Sequence, residues 1–279
     1  MPLKLMYITP HPEIAQIAQE TGVDRIFVDM EYIGKSARQG GMDTVQSHHT
    51  YNDIKRIKSV QQSFELLVRC NPMHDRTDDY ESSEEEIDGI IACGADVIML
   101  PFFKTAKEVA CFLSAVGGRA KTMLLFETPE SVENIDAILS LDGIDEVFIG
   151  LNDLSLGYGM KFMFQLLADG TVERLCGIFR QKGIPYGFGG IAALGKGMLP
   201  AEYVIKEHYR LGSTCAILSR SFCNTSLITD QEEVKRIFED GLKMIRAYEA
   251  QCAQADQDDL KENKRVMNEI IQSIAQSKS

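Results

Sequence analysis

The stretch from Thr122 to Asp153 contains two apolar runs that each end in an acid, Thr122-Met-Leu-Leu-Phe-Glu127 and Val147-Phe-Ile-Gly-Leu-Asn-Asp153. A strand that is apolar along its whole length is typical of a parallel sheet covered on both faces. In α/β proteins, the carboxyl ends of such strands carry the functional side chains. Two carboxylates at this edge can share one hard divalent cation. Taken singly, either acid is explained equally well by a helix N-cap or a solvated strand end.

Apolar runs of strand length alternate with helical segments along the rest of the chain. Glycines close several of the helical segments, as Gly22 does for the first. Eight such units predict a (β/α)8 TIM barrel with an additional C-terminal helix. We predict that the second strand ends at Glu31 and the sixth at Asp153. An open doubly wound sheet is the alternative, but no glycine-rich fingerprint follows the first strand to support it.

We predict two parts, a barrel catalytic domain over residues 1–250 and a helical tail over 251–279, for which a subunit interface is one candidate position. An apolar stripe at helical spacing runs along the tail and consists of Val266, Met267, Ile270, Ile271 and Ile274. A helix beyond a closed barrel needs something to bury such a stripe. A partner subunit and the chain's own barrel are equally good candidates.

Composition limits the classes of function. The 279 residues carry a net charge of −12, which argues against a surface for nucleic acid or for an anionic membrane. The seven cysteines are scattered without a C-x-x-C pair, as expected for buried thiols in a reducing compartment. The chain has no apolar run long enough to span a bilayer. We therefore expect a cytoplasmic protein without a membrane segment.

Five stretches, in order and at the spacing of barrel strands, resemble the HpcH/HpaI aldolases, which are related to citrate lyase beta subunits within the phosphoenolpyruvate/pyruvate barrel superfamily. The resemblance covers roughly residues 3 to 225. The stretches are Phe27-Val-Asp-Met-Glu31, Leu67-Val-Arg69, Gly94-Ala-Asp-Val-Ile-Met-Leu-Pro101, Phe126-Glu127-Thr-Pro-Glu-Ser and Phe148-Ile-Gly-Leu-Asn-Asp153-Leu-Ser.

The resemblance implies class II aldolase chemistry on a pyruvate-like 2-keto acid and an aldehyde, with Mg²⁺ or Mn²⁺ as cofactor. It also implies a homo-oligomer with an exchanged C-terminal helix. Glu127 and Asp153 match the metal ligands of the family. Arg69 matches the arginine that contacts the keto acid and its enolate, and Asp29 and Glu31 match an acidic pair near metal-bound water. These roles suit the chemistry, because a divalent cation and an arginine both stabilise the negative oxygen of an enolate.

The chain departs from the family pattern at two positions. Tyr32 stands where the family usually has a catalytic histidine, and a phenol with a pKa near 10 is a poor base at neutral pH. The long loop that follows ends in His48 and His49. We hypothesise that one of these two histidines replaces the missing base; a surface loop histidine is the alternative. Leu125 stands where many such aldolases carry a glutamine, so a donor to the substrate oxygen is absent or comes from elsewhere.

Further polar residues are candidates for binding an anionic or polyol substrate. Lys35 and Arg38 lie in the long loop, and Arg220 follows the eighth strand, where barrels often bind phosphate. Asn152 precedes the predicted metal ligand Asp153. For Lys35 and Arg38, solvated surface charge is the alternative. The segment from Gly190 to Gly197 nearly matches a P-loop, but the serine or threonine that would hold magnesium is a glycine, so ATP binding is not expected there.

We thus expect a metal-dependent carbon–carbon lyase that acts on small molecules. Another enolate-based lyase or condensation, on a carboxylate or a phosphoenolpyruvate-like substrate, is a second enzyme class that fits the lost histidine and glutamine. A metabolite-binding barrel without catalysis is a third alternative. Acids at three strand ends argue against it, because buried carboxylates without a role are costly.

Overall fold

In a computed structural model of the chain, which describes residues 1–34 and 49–278, eight parallel strands close into a barrel in sequence order. The strands are β1 (Lys4–Ile8), β2 (Arg25–Asp29), β3 (Glu65–Arg69), β4 (Val97–Leu100), β5 (Lys121–Phe126), β6 (Glu146–Ile149), β7 (Tyr186–Ile191) and β8 (Cys215–Leu218). Parallel pairing of β1 with β8, with Leu5 opposite Ala216, closes the barrel. The predicted TIM barrel is confirmed, and the open-sheet alternative is excluded.

Helices cover the outside of the barrel. Within the described residues they are α1 (Pro12–Thr21), α2 (Tyr51–Ser59), α3 (Ser83–Ala92), α4 (Ala106–Val116), α5 (Pro129–Glu133), α6 (Ile135–Ile138), α7 (Leu151–Gly157), α8 (Gln165–Ala168), α9 (Thr171–Lys182), α10 (Ala201–Leu211), α11 (Gln231–Cys252) and α12 (Gln257–Ser277). Local sequence sets their ends. Ser82 and Glu85 form a capping box at the start of α3. Gly22, with a φ of 100°, ends α1 in the left-handed conformation that glycine tolerates.

Two predicted strand ends are wrong. Strand β2 ends at Asp29, before Glu31, and β6 ends at Ile149, before Asp153. Asp153 instead lies in the first turn of α7, which begins directly after Gly150. A short apolar run is buried equally well as a strand or as a helical turn, so hydrophobic periodicity does not separate the two.

The barrel interior is a packed core, so the chemistry has no room inside it. The side chains that fill the interior are Met6, Phe27, Leu67, Val97, Met99, Met123, Leu125, Phe148 and Cys215. At the amino ends of the strands, the fully buried Arg25 donates to both oxygens of Glu146, at 3.0 and 2.8 Å, and to Glu65 at 2.6 Å. This ion cluster closes the bottom of the barrel and leaves the carboxyl ends for function.

The tail helix α12 lies on the chain's own barrel, where it packs against α8 and α10. Met267 and Ile271 of the apolar stripe are buried there. Asn263 donates a hydrogen bond to the carbonyl oxygen of Tyr203 at 3.1 Å. Two surfaces were considered for burying the apolar stripe, a partner subunit and the chain's own barrel. In the structure the stripe packs on the chain's own barrel. Exchange of this helix between subunits stays a prediction, as does the division of the chain at residue 250.

All seven cysteines are free thiols, and six of them are buried. Among the helices of residues 1–34 and 49–278, none combines the length and the apolarity that crossing a bilayer requires.

Candidate active site at the carboxyl end of the barrel

An arginine–carboxylate pair connects the ends of two neighbouring strands. Asp29 and Arg69 are the last residues of β2 and β3 and lie opposite each other in the sheet register. Arg69 donates from Nε to Asp29 Oδ1 and from Nη2 to Asp29 Oδ2, both at 2.8 Å. Such a bidentate ion pair is strong and geometrically specific. It fixes the plane of the guanidinium at the mouth of the barrel.

Glu31 adds a second acid to the same arginine. Its Oε2 lies 3.2 Å from Arg69 Nη1, and the Glu31 side chain is fully buried. Burial by itself lowers the pKa of Arg69. The carboxylates of Asp29, Glu31 and Glu127 outweigh this effect and hold the Arg69 pKa well above its ordinary value. Arg69 is therefore a permanent cation that is surrounded by acids.

His49 reaches this site from the end of the long loop. The backbone N–H of Asp29 donates to His49 Nδ1 at 2.9 Å. A ring nitrogen that accepts a hydrogen bond carries no proton, so the neutral imidazole has its proton on Nε2. In this geometry His49 presents an N–H donor at Nε2 rather than a basic nitrogen.

Glu127 follows β5 directly and is held by the backbone of a neighbouring loop. The N–H of Phe102 donates to Glu127 Oε1 at 3.0 Å. Phe102 has a φ of 50°, the single positive φ of a non-glycine residue in the described chain. This conformation costs about 1–3 kcal/mol and is typical of functional sites. The strained peptide at Phe102 thus fixes the position of Glu127 Oε1.

Gly150 makes space for the other oxygen of Glu127. A Cβ at this position would lie 2.8 Å from Glu127 Oε2 and 2.8 Å from Glu127 Cβ, closer than real contacts allow. Phe126 pairs with Ile149 across β5 and β6, so Glu127 and Gly150 occupy equivalent positions one step further along. The absence of a side chain at Gly150 therefore forms part of the cradle around the Glu127 carboxylate.

The donor set fits a hard divalent cation. Glu127 and Asp153 are buried carboxylates that follow neighbouring strands, and carboxylate oxygens are ligands that Mg²⁺ and Mn²⁺ prefer. In residues 1–34 and 49–278, no group of three or more histidine, cysteine, aspartate or glutamate side chains is arranged to hold a metal. A cation here would thus depend on two protein carboxylates, with water or substrate as its other ligands. Asn152 lies beside Asp153 in the first turn of α7.

Tyr32 and Leu125 are the two departures from the family pattern. Burial raises the pKa of the Tyr32 phenol, and the nearby acid Glu86 raises it further. Tyr32 is thus an even poorer base than a free tyrosine. Leu125 is buried and belongs to the apolar core inside the barrel. An apolar side chain there supplies no hydrogen bond to a substrate.

Several predicted binding residues stay predictions. His48, Lys35 and Arg38 lie outside the described residues. Arg220 is exposed and lies directly beyond β8, at the same end of the barrel as the acids. The near P-loop contains no helix start at its lysine, because α10 begins only at Ala201. The geometry that a P-loop requires is therefore absent from this segment.

Sequence reasoning missed two residues that support the site, Asn71 and Glu86. Asn71 Oδ1 accepts the backbone N–H groups of Tyr32 and Ile33, and Glu86 in turn accepts both N–H groups that Asn71 presents to it. One signal was available. Glu86 is four residues before the buried Ile90 of α3, so an acid lies on the apolar face of an amphipathic helix.

Comparison with known proteins shows the class and the family. The sequence model of HpcH/HpaI aldolase/citrate lyase matches residues 5–163, more than half of the chain. The fold defines the class of protein. It is a closed (β/α)8 barrel that carries acids and an arginine at the carboxyl ends of its strands. The chain belongs to the HpcH/HpaI aldolase/citrate lyase family. The predicted class of enzyme, a lyase, is confirmed at the level of this family.

Individual relatives are more distant. The chain is 24% identical over 180 residues to 4-hydroxy-2-oxovalerate aldolase of Novosphingobium aromaticivorans. The matched region covers 54% of this chain and 60% of that protein. The chain is 57% identical over 37 residues to hydroxypyruvate/pyruvate aldolase of Rhizorhabdus wittichii, or 13% of this chain and 15% of that one. Both matches span less than two thirds of the relative's length.

A solved structure agrees with the architecture. The crystal structure of an HpcH/HpaI aldolase/citrate lyase family protein from Burkholderia cenocepacia J2315 covers 84% of this chain and 95% of its own, with a TM-score of 0.62 and 14% sequence identity. At this identity the likeness concerns the fold alone.

Proposed function

We propose that this protein catalyses aldol-type cleavage or formation of a carbon–carbon bond, through the enolate of a 2-keto acid such as pyruvate, with an aldehyde as the second substrate. One observation carries the proposal, namely the buried group of Asp29, Glu31 and Glu127 around the permanent cation Arg69. Its place at the carboxyl ends of the strands is where barrel enzymes hold their reacting groups. The family and its aldolase relatives support the reaction class.

Arg69 is assigned to binding the substrate. Its Nε and Nη2 are used to bind Asp29, whereas Nη1 faces Glu31 and is the nitrogen best placed to reach a substrate oxygen. A fixed guanidinium stabilises the negative charge that develops on a keto acid oxygen, and it needs no reorganisation to do so. A Mg²⁺ or Mn²⁺ ion held by Glu127 and Asp153 would supply Lewis-acid stabilisation of the same charge.

The acids divide into two roles in this proposal. Both oxygens of Asp29 already accept N–H groups of Arg69, so Asp29 positions the arginine. Glu31 is assigned to proton transfer, because it lies at the Nη1 side of Arg69 where the substrate would bind. His49 is assigned to donating a hydrogen bond from Nε2 to a substrate oxygen. This assignment replaces the role of base that the sequence predicted for it, since Nδ1 accepts the Asp29 N–H.

A second function is favoured by two specific observations. The raised pKa of Tyr32 and the apolar Leu125 remove a base and a donor that aldolases of this family usually have. Another enolate-based reaction, on a carboxylate or phosphoenolpyruvate-like substrate, would need neither group. Enolate formation without any accepted aldehyde is the outcome expected of this second function.

Exchange of the methyl protons of pyruvate into D₂O, followed by NMR, tests the proposal without knowledge of the aldehyde. We expect exchange that depends on Mg²⁺ or Mn²⁺, stops with EDTA and is lost in Glu127→Gln. Glu130→Gln is the matched control, because Glu130 is an exposed acid three residues further on that pairs with Lys104. Exchange no faster than with the free metal would overturn the pyruvate proposal, and ligand binding without exchange would indicate a non-catalytic barrel.

A further inference from the structure

Glu86 is a buried acid that the proposed reaction does not use. It lies on the inner face of α3 with 3% of its surface exposed, beside Ile87 and Ile90, which are fully buried. Glu85 caps the helix instead, by accepting the N–H of Ser82 at 2.9 Å. Burial raises the pKa of Glu86. A carboxyl group in such a place is costly unless its hydrogen bonds are satisfied by a specific partner.

The partner of Glu86 is Asn71. Glu86 Oε1 accepts the backbone N–H of Asn71 at 3.1 Å and the side-chain Nδ2 at 2.9 Å. These bonds decide which way the Asn71 amide points, because only its nitrogen can donate to Glu86. The amide oxygen therefore faces the opposite direction. There, Oδ1 accepts the backbone N–H groups of Tyr32 and Ile33, both at 3.0 Å.

This chain of contacts ends next to a residue of the proposed site. Tyr32 and Ile33 directly follow Glu31, and Asn71 lies two residues after Arg69, the ion-pair partner of Glu31. The segments after β2 and β3 are thus fastened twice, by the Glu31–Arg69 pair and by Asn71. The rings of Tyr32 and Tyr80, 5.5 Å apart, add a third contact between the two segments.

We infer that Glu86 is a positioning residue, which orients Asn71 so that the backbone after Glu31 is held in place and Glu31 stays against Arg69. The contact chain is a property of the fold, whereas its effect on turnover rests on the proposed function. Glu86 touches no substrate in this role. It acts through Asn71, and what it must supply is one acceptor oxygen at the position of Oε1.

The second oxygen of Glu86 makes the inference testable. Among residues 1–34 and 49–278, Glu86 Oε2 is buried without a hydrogen-bond partner. Glutamine can place its carbonyl oxygen at Oε1 and its amide nitrogen at the Oε2 position, so Glu86→Gln retains both bonds to Asn71. Leucine fills similar space but accepts nothing. The pair of variants therefore separates the acceptor from both the volume and the charge of Glu86.

Hydrogen exchange of the Tyr32 and Ile33 amides, in the full-length protein, is the first measurement. We expect Glu86→Leu to speed their exchange about tenfold or more, since the acceptor that protects them loses its orientation. Glu86→Gln is expected to stay within about twofold of the wild type, since the hydrogen bonds are retained. Glu84→Leu, an exposed position on the same helix, is the control for a change of helix sequence. Asn71→Ala removes the acceptor directly and carries the test if Glu86→Leu does not fold.

Pyruvate proton exchange is the second measurement. We expect Glu86→Leu to lower kcat with little change in KM, and Glu86→Gln to restore kcat. The inference is overturned if Tyr32 and Ile33 stay protected in Glu86→Leu, if they stay protected in Asn71→Ala, or if Glu86→Gln exposes them as Glu86→Leu does. A wild-type protein that exchanges no pyruvate would refute the proposed function alone, because the amide measurement does not depend on any substrate.

Discussion

The carboxylate of Asp29 faces the guanidinium of Arg69 across two adjacent strands, and two N–H···O bonds of 2.8 Å join them. Both residues are the last of their strands and lie opposite each other in the register. The pair therefore takes its geometry from the barrel itself and not from a loop. This arrangement constrains the Arg69 side chain and makes it a contributor to stability.

Arg69→Met should lower the free energy of unfolding by about 3–5 kcal/mol, because Asp29 and Glu31 would remain as buried charges without their partner. Urea unfolding measures the difference. Arg76→Met is the matched control, since Arg76 pairs with Glu85 and its side chain is 64% exposed. An exposed pair of this kind contributes at most about 1 kcal/mol. Equal, small losses of unfolding free energy in the two variants would show that the buried pair stabilises the protein no more than the exposed pair does.

Gly150→Ala should weaken Mn²⁺ binding about 10–100-fold, as changes that misplace a metal ligand commonly do. The added Cβ would lie 2.8 Å from Glu127 Oε2 and push the carboxylate aside. Electron paramagnetic resonance of free Mn²⁺ gives the affinity without any assay of activity. Gly177→Ala in α9 is the control, because a Cβ there meets nothing within 4 Å. Unchanged affinity in Gly150→Ala would argue against Glu127 as a ligand.

His49 should be a neutral imidazole with its proton on Nε2 at pH 8. The reason is the hydrogen bond that its Nδ1 accepts from the N–H of Asp29. Long-range ¹H–¹⁵N correlation of histidine-labelled protein reports the tautomer, and the signals missing from His49→Gln identify the residue. A proton found on Nδ1 would contradict the donor role and return His49 to the candidates for a base.

His208 should make the protein less stable as the pH falls below about 6.5, the ordinary pKa of histidine. Burial lowers the pKa of folded His208 to about 3, where its ring stacks on Phe188 at 3.8 Å. Between these two values the unfolded chain binds a proton that the folded protein does not. Stability is therefore lost as the pH falls, at about 1.4 kcal/mol per unit well below pH 6.5.

Urea unfolding at one pH above the ordinary histidine pKa of about 6.5 and at two below it, namely pH 7, 6 and 5, tests this dependence on pH. His208→Gln removes the titrating group, so its stability should fall less steeply than that of the wild type. His11→Gln changes an exposed histidine and should follow the wild-type curve. Parallel curves for the wild type and His208→Gln would show that His208 is not the source of the slope.

Much of the barrel fold was predictable from the sequence, because the patterns that indicate strands and helices are local. The alternation of apolar runs and helical segments predicts eight strand–helix units. A capping box of Ser82 or Ser83 with Glu85 or Glu86 predicts the start of α3, and the structure shows that Ser82 and Glu85 form it. The order of motifs also points to Asp29, Arg69 and Glu127 at the mouth of the barrel. The end of β6 was missed, because a buried run has the same composition in a strand and in the first turn of α7.

The hydrogen bonds that hold the site residues in place were not predictable from the sequence, because they join distant parts of the chain. Phe102 holds Glu127 through a backbone N–H, which has no signature in a side-chain pattern. The acid run at Glu84 to Glu86 predicts a helix start. It does not reveal that Glu86 turns inward to bind Asn71. Nor can spacing show that His49 accepts a hydrogen bond at Nδ1.

By itself, the sequence determined the barrel and the kinds of groups at its mouth, since hydrophobic period and motif order depend on neighbours along the chain. Only the tertiary structure decided how those groups are oriented. Pairing of β2 with β3 brings Asp29 and Arg69 into register, and pairing of β5 with β6 sets Gly150 against Glu127. Hydrogen bonds depend on direction and on distances of a few tenths of an ångström, and such geometry exists only once the strands have closed.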